Sequence, residues 1–179
     1  VQSLEEVRSR RKKPDSLGKL KAAARKLFVE RGYHATRPQD IAREADVGHG
    51  TFYLHFPDKR ACFLAFVDDA REELDSYIRT RVSRDRPMDV LIAGTLNAIF
   101  DYAETHPGVL NAAMTDEAVI DAEGAQAKPL LQRWGEDWAE TVKLHDAGRE
   151  YDSAIVGQAI VGAIHQVAAE AGRSRRKRQ

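Results

Sequence analysis

Two prolines, Pro38 and Pro57, bound the stretch that most restricts the fold of this chain. Pro38 fits the first turn of a helix, where its missing N–H costs little. Pro57 ends a helix, because the residue before a proline is pushed out of the α region. Between them the sequence predicts a helix over about 38–45, a tight turn at "DVG" (46–48) and a short helix over about 49–56. Two short helices joined by a tight turn make a helix-turn-helix.

The residues at the ends of these helices suit their positions. Thr36 and Gln39 are three apart, which predicts a capping box at the first helix. Gly48 then precedes the second helix without a side chain that could cap it.

The remaining segments also show helical spacing. Apolar residues recur at three- and four-residue steps from Asp15 to Gly32, a natural stop. A long helix is expected over about 58–82. Alternating β-branched runs and Asn-Gly turns are absent, so we predict an all-α fold. Prolines separate the later predicted helices, near 88–105, 108–115, 126–146 and 152–171.

The formal net charge of zero hides a strong segregation of charge. Residues 1–60 carry 14 basic and 8 acidic side chains, and residues 61–172 carry 9 and 20. A basic first third on an acidic body indicates one segment that meets a polyanion. We therefore predict four parts: a flexible basic arm (1–15), a helix-turn-helix DNA-binding domain (16–60), a helical effector-binding and dimerisation domain (61–172) and a basic tail (173–179). Whether the arm and the tail contact DNA stays open.

Several classes of protein are disfavoured by composition. No run of 18 apolar residues predicts a transmembrane helix, and the charged start of the chain is unlike a signal peptide, so we expect a cytoplasmic protein without membrane contact. The single Cys62 fits a reducing compartment. No nucleophile–base pair, phosphate loop or metal spacing is present, so we expect no enzyme activity, cofactor or metal. His49 and His55 lack a third ligand placed by the sequence.

The short helix at 49–56 combines two kinds of residue. Phe52 and Phe56 are four apart and can pack on the helices that precede them. Thr51, Tyr53 and His55 then point elsewhere and carry hydrogen-bonding groups. In a helix-turn-helix this second helix enters the major groove of DNA, so we predict DNA contact for these outward residues.

A series of marks at fixed spacing runs through residues 19–59: Ala23, Ala24, Leu27, Phe28, Gly32, Tyr33, Thr36, Ile41, Ala42, Ala45, Val47, the run Gly50-Thr51-Phe52-Tyr53, Phe56 and Lys59. With these marks the segment resembles the DNA-binding domain of the tetracycline-repressor (TetR) family over 41 residues. Asp46 and Gly48 depart from the Gly-Val-Ser that is usual there. Asp46 stands where a turn glycine is common and is expected to take the left-handed conformation, which aspartate tolerates better than most residues. The rest of the chain carries no family motif.

The resemblance implies a set of DNA-contacting positions. His49 and Thr51 are expected at base edges, because an imidazole N–H can donate to guanine and a threonine methyl can pack on thymine. Leu54 is expected to add an apolar contact. The others are expected mainly to position phosphates. The full implied set is Thr36, Arg37, Gly48, His49, Thr51, Tyr53, His55 and Lys59.

The resemblance also implies a ligand cavity in the second half of the chain, although aromatic and Met residues at helical spacing are also typical of a plain core. We expect a small apolar or aromatic effector that meets few charges. Asn97, Asp101 and His106 are polar candidates to orient it. The candidate lining residues are Phe66, Leu96, Phe100, His106, Leu110, Met114, Trp134 and Trp138.

The last predicted helix carries apolar and small residues on so much of its circumference that it is either central to the core or part of a subunit interface. The resemblance favours an interface, in which the last two helices of each subunit form a four-helix bundle about a two-fold axis. The predicted interface residues are Ile155, Gln158, Val161, Gly162, Ile164 and His165.

We therefore expect a homodimeric transcriptional regulator that binds operator DNA, most simply a repressor that a small-molecule effector releases. The alternatives are a DNA-binding protein without an effector, either architectural or constitutive, and a small helical enzyme.

Overall fold

The computed structural model describes residues 15–114, 130–145 and 152–176, and these residues form helices and connections without a strand. The predicted all-α fold is therefore confirmed. Residues 109–114 are also helical. The predicted helix ends that fall on 115, 126–129 and 146 lie outside the described residues. The helices are α1 (Ser16–Ala35), α2 (Pro38–Glu44), α3 (His49–His55), α4 (Lys59–Arg79), α5 (Met88–Thr105), α6 (Leu130–His145) and α7 (Ser153–Arg176).

The chain divides into two compact units, Val1–Phe66 and Val67–Gln179, a few residues beyond the predicted domain boundary at 60. Residues 1–14 of the predicted arm and 177–179 of the predicted tail lie outside the described residues. Helix α7 continues through Arg176, which is past its predicted end near 171.

The first unit packs around one face of α1. This helix begins at Ser16 because the Asp15 carboxylate accepts a hydrogen bond from the Gly18 N–H at 2.8 Å. Gly32 interrupts it with φ 77° and ψ 173°, a conformation open to glycine, before the last turn ends at Ala35. The buried side chains are Leu20, Ala23, Ala24, Leu27, Phe28, Ile41, Ala42, Ala45, Phe52, Phe56, Cys62, Phe63 and Phe66.

Cys62 belongs to this core, with 1% of its surface exposed. Burial raises the pKa of its thiol to about 12, so the reactive thiolate is scarce at neutral pH. Cys62 is therefore placed as a small apolar packing residue.

The predicted capping box at α2 is wrong. The helix begins after Arg37, which makes no side-chain capping bond. Thr36 is fully buried, and its hydroxyl donates to the carbonyl oxygen of Gly32 at 2.8 Å, with that of Leu27 at 3.3 Å. The hydroxyl therefore stabilises the C-terminal end of α1 and does not cap α2.

The turn between α2 and α3 follows the prediction for Asp46, which has φ 52°. The Val47 N–H donates to the carbonyl of Ala42 at 3.0 Å, and the Asp46 N–H donates to that of Arg43 at 3.2 Å. This pair of bonds is a Schellman motif, in which the left-handed residue normally is glycine. The turn fixes the direction in which α3 leaves α2.

The second unit contains a close contact between α6 and α7. A Cβ atom added at Gly157 would overlap the carbonyl oxygen of Gly135 and would lie 2.6 Å from the backbone nitrogen of Ala139. Glycine at 157 therefore lets the two backbones meet. None of the helices in the described ranges has the length and apolar composition of a bilayer-spanning segment.

Candidate nucleic-acid interface

Helix α3 is anchored by its aromatic face. Phe52 is fully buried and Phe56 is 6% exposed, with their ring centroids 5.6 Å apart. Because successive helical residues are separated by about 100°, the residues between and before them turn outward. His49, Tyr53, Leu54 and His55 are all exposed, and Thr51 is half-buried.

The exposed rings of α3 are ordered by contacts within the unit. The ring of His49 meets that of Tyr53 edge-on, with centroids 5.2 Å apart. The His55 Nε2 atom lies 2.7 Å from the hydroxyl of Ser16. These contacts leave the outward edges of the side chains open to a partner while restricting their rotamers.

Lys59 also makes contacts within the unit. Its ammonium donates to the carbonyl oxygen of Tyr33 at 2.9 Å and lies 4.0 Å from the centre of the Tyr33 ring. A cation over an aromatic face is attracted by the ring quadrupole. Phosphate contact by Lys59 stays a prediction, and the lysine has a packing role in addition to it.

The other three implied positions differ in accessibility. Arg37 and Gly48 are exposed, and Gly48 is the N-cap residue of α3 with φ −64°. Thr36 is fully buried. Its implied phosphate contact is corrected, because no part of the side chain reaches the surface and its hydroxyl is engaged within the unit.

Leu54 and Gly50 lie on the side of α3 opposite Phe52. Leu54 is 82% exposed, the most exposed large apolar side chain among the described residues of the first unit. Gly50 lies one turn before it and is also exposed. The signal was present in the sequence, since both residues lie about half a turn from Phe52 and so point away from the core.

The second unit contains a partly open cavity of about 410 Å³. Trp134 and Trp138 line it, as predicted. The other six predicted lining residues (Phe66, Leu96, Phe100, His106, Leu110 and Met114) are not among the lining residues, and Phe66 packs in the first unit. The residues that do line it are Arg71, Asp75, Ile78, Arg79, Val82, Arg84, Leu91, Thr95, Ile99, Trp134, Asp137, Trp138, Glu140, Thr141, Leu144, Val161 and Ile164.

His106 has a different role from the predicted one. Its ring stacks on Tyr102 with centroids 4.2 Å apart, and its Nε2 atom lies 3.2 Å from a carboxylate oxygen of Glu73. These contacts use the imidazole in packing α5 against α4. Asn97 and Asp101, the other polar candidates, are exposed and do not line the cavity.

The cavity is more polar than expected. Arginine and acidic side chains share its wall with the aliphatic and indole groups. Arg71 and Asp75 form a loose pair at 3.7 Å. Burial raises the pKa of Asp75, while the charges of Arg71 and Arg79 oppose that rise. The indole N–H of Trp134 is buried, and among the described residues it has no hydrogen-bond partner. The expectation of few charges is therefore corrected.

The six predicted interface residues of α7 fall on more than one face. Ile155, Gln158 and Gly162 are exposed, and Ile155 shows 68% of its surface. His165 is half-buried. Val161 and Ile164 are buried and line the cavity of their own unit. The face of α7 that is exposed to a possible partner subunit is therefore narrower than the predicted interface.

Metal ligation finds no support within the described ranges, where no group of three or more His, Cys, Asp or Glu side chains could hold an ion. A basic helical unit with an exposed second helix after a tight turn defines a helix-turn-helix protein. A helical unit with a cavity follows it in the same chain.

Comparison with known proteins agrees with that class. Residues 20–66 match the family described as "Bacterial regulatory proteins, tetR family". The HTH-type transcriptional activator FasR of Mycolicibacterium smegmatis is 32% identical over 87 residues, which are 49% of this chain and 40% of FasR. The chain thus spans about two fifths of that relative's length.

Solved structures share the whole fold at low sequence identity. The fatty acid degradation regulator FadR from Bacillus halodurans superposes with a TM-score of 0.70 at 19% identity, over 87% of this chain and 83% of that one. A TetR-family transcriptional regulator from Pectobacterium atrosepticum has a TM-score of 0.64 at 22% identity, over 96% and 86%. The family match therefore covers residues 20–66, and over the rest of the described chain the likeness to these structures is one of fold.

Proposed function

We propose that the chain binds duplex operator DNA as a homodimer through α3 and regulates transcription, as a repressor that a small-molecule effector releases. The observation that carries this proposal is the outward face of α3. Hydrogen-bonding side chains stand exposed there on a helix that Phe52 and Phe56 fix from behind. Such a helix fits the major groove, where base edges offer donors, acceptors and the thymine methyl.

Charge supports DNA as the partner. The first 60 residues carry 14 basic against 8 acidic side chains, and the following 112 residues are acidic overall. The phosphates of DNA are therefore attracted to the first unit and repelled by much of the second. Within α3, His49 and Thr51 read base edges, and Tyr53 and His55 position phosphates. Lys59, the first residue of α4, adds a further phosphate contact.

The experiment is selection of bound sequences from a random duplex pool, followed by competition against non-specific DNA at fixed salt. His49→Ala and Thr51→Ala should each lower the specific affinity by roughly 5- to 150-fold while non-specific binding changes little, because a base contact contributes about 1–3 kcal/mol. Glu72→Ala, an exposed change in the second unit, is the control and should leave the ratio unchanged. Recovery of no preferred sequence would contradict the proposal and favour an architectural DNA-binding protein.

The cavity supports the effector part of the proposal. Its volume of about 410 Å³ lies in the range of small-molecule sites. Indole and aliphatic groups favour an apolar or aromatic body, and the arginine and acidic side chains favour polar groups on it. Helix α4 supplies Arg71, Asp75, Ile78 and Arg79 to the wall, so a ligand there can bias the position of this helix.

Release is tested with amphiphilic compounds that bind the wild-type protein in calorimetry. A true effector weakens operator binding, and the operator weakens effector binding by the same factor. Trp138→Ala should remove the response while operator affinity without the compound stays unchanged. A compound that binds with no effect on DNA affinity would remove the effector from the proposal. The relative FasR is named as an activator, so a promoter reporter decides the direction of regulation.

A further inference from the structure

The face of α3 opposite Phe52 carries two residues that do not favour the stability of the fold. Gly50 and Leu54 are one helical turn apart and point away from the buried Phe52. Leu54 presents 82% of its surface to solvent. Within the described part of the chain, no atom of another element or side chain comes within 4 Å of the position that a Cβ would take at Gly50.

Gly50 has no reason within its own unit to be glycine. Its φ is not positive, since Gly32 and Gly108 are the glycines with that conformation among the described residues. A glycine in a helix interior costs roughly 1 kcal/mol relative to alanine, and Gly50, in the first turn of α3, costs a part of that. Neither backbone geometry nor close packing in the described structure offsets that cost, which points to a partner that approaches the helix backbone at this position.

Leu54 limits the chemistry of that partner. A leucine side chain neither donates nor accepts hydrogen bonds, and in the major groove the 5-methyl group of thymine is the apolar feature of the base edges. We propose that Gly50 lets the backbone of α3 approach the base edges closely and that Leu54 packs on the 5-methyl group of a thymine. This inference rests on the proposed DNA binding and assigns one base preference within it.

A protein partner fits this surface less well. Binding patches for proteins are contiguous apolar areas of several hundred Å². Leu54 stands instead among the hydrogen-bonding side chains of His49, Thr51 and His55, on a unit with a basic sequence. A single apolar side chain ringed by polar groups suits one methyl group on a polar surface.

The test replaces thymine by deoxyuridine at each position of the selected operator in turn. The replacement removes the methyl group and leaves every hydrogen-bonding group in place. Wild-type protein should bind about fourfold more weakly for one contacted methyl, and about sixteenfold more weakly when both half-sites of a dimer are changed. Leu54→Ala should bind thymine and uracil versions of that position equally. Thr51→Ser, the matched control, lacks the Thr51 methyl group and should keep the thymine preference at the Leu54 position.

Gly50→Ala adds an independent measurement. It should raise the thermal stability of the protein and lower specific affinity, because the added methyl group separates the helix from the base edges. Three results would overturn the inference and leave sequence-specific binding intact. They are a wild-type affinity that does not change with uracil, a Leu54→Ala affinity that falls as much as that of the wild type, and a selected operator without thymine. Selection of no operator at all would overturn the proposed function together with it.

Discussion

The hydroxyl of Thr36 illustrates how a polar residue near a DNA-binding surface can serve folding alone. It is fully buried and donates to the carbonyl oxygen of Gly32. Thr36→Val keeps the shape and removes the donor, so the free energy of unfolding should fall by about 1–3 kcal/mol. Urea unfolding followed by circular dichroism measures this loss.

The matched control is Thr80→Val, whose exposed hydroxyl donates to the carbonyl of Tyr77 at 2.9 Å and can be replaced by water. Its effect on stability should be small. Operator affinity of folded Thr36→Val should equal that of the wild type. A variant of unchanged stability with weak DNA binding would restore the phosphate contact that the family resemblance implied.

The conformation and burial of single residues could be predicted from the sequence where local sequence position alone decides them. Phe52 and Phe56 lie on one face because they are four apart, and Asp46 takes the left-handed conformation because few other residues in that turn tolerate it. The prediction for Thr36 was wrong because a threonine before a helix can either cap that helix or donate to a carbonyl of the preceding one. Which one forms depends on where the break at Gly32 puts its carbonyl, and spacing does not contain that information.

At the scale of elements, α7 contains two glycines with opposite surroundings. Gly157→Ala should cost about 1–3 kcal/mol of stability, because its Cβ overlaps the backbone of α6. At Gly162 no contact within 4 Å of an added Cβ comes from the residues that the structure describes. Gly162→Leu should therefore leave the unit folded, and in the proposed dimer it should separate the subunits.

Urea unfolding and sedimentation distinguish the two effects. A Gly162→Leu variant that stays dimeric would place the subunit interface elsewhere, and a Gly157→Ala variant of unchanged stability would contradict the close approach of α6 and α7. The run of small and apolar residues predicted close packing somewhere on α7. It could not predict which glycine meets α6, because residues 157 and 162 are five apart and the rotation of the helix is fixed by the whole packed unit.

The cavity shows the same limit more clearly. Trp134 and Trp138 line it as predicted, but Phe100, Leu110 and Met114, which the family resemblance also implied, do not. Helix α4 contributes Arg71 and Asp75 instead. Charged residues at helical spacing normally indicate a solvated face, so the sequence gives no signal that these two meet a cavity.

For the whole molecule, Asp75 couples stability to pH. Burial raises its pKa in the folded protein above the value of 3.8 that an exposed aspartate keeps in the unfolded chain. The folded state then binds the proton more tightly, so stability falls as pH rises from about 4 through the raised pKa. Asp75→Asn should remove that part of the pH dependence and stabilise the protein at neutral pH.

Denaturant midpoints of wild type and Asp75→Asn, compared from about pH 4 to pH 7, measure this coupling. The two curves should diverge as pH increases. Curves that stay parallel would mean that the pairing with Arg71 offsets the cost of burying the carboxylate.

Both indoles of the chain, Trp134 and Trp138, belong to the second unit and face its cavity, while the first unit has none. Light absorbed by indole alone therefore produces emission from the second unit only. The surface of α3 offers bound DNA no indole, so a change in the spectrum on DNA binding reports a change at the second unit. Tryptophan fluorescence thus reports the response of the second unit to DNA without a label, and the first unit contributes no indole emission to it.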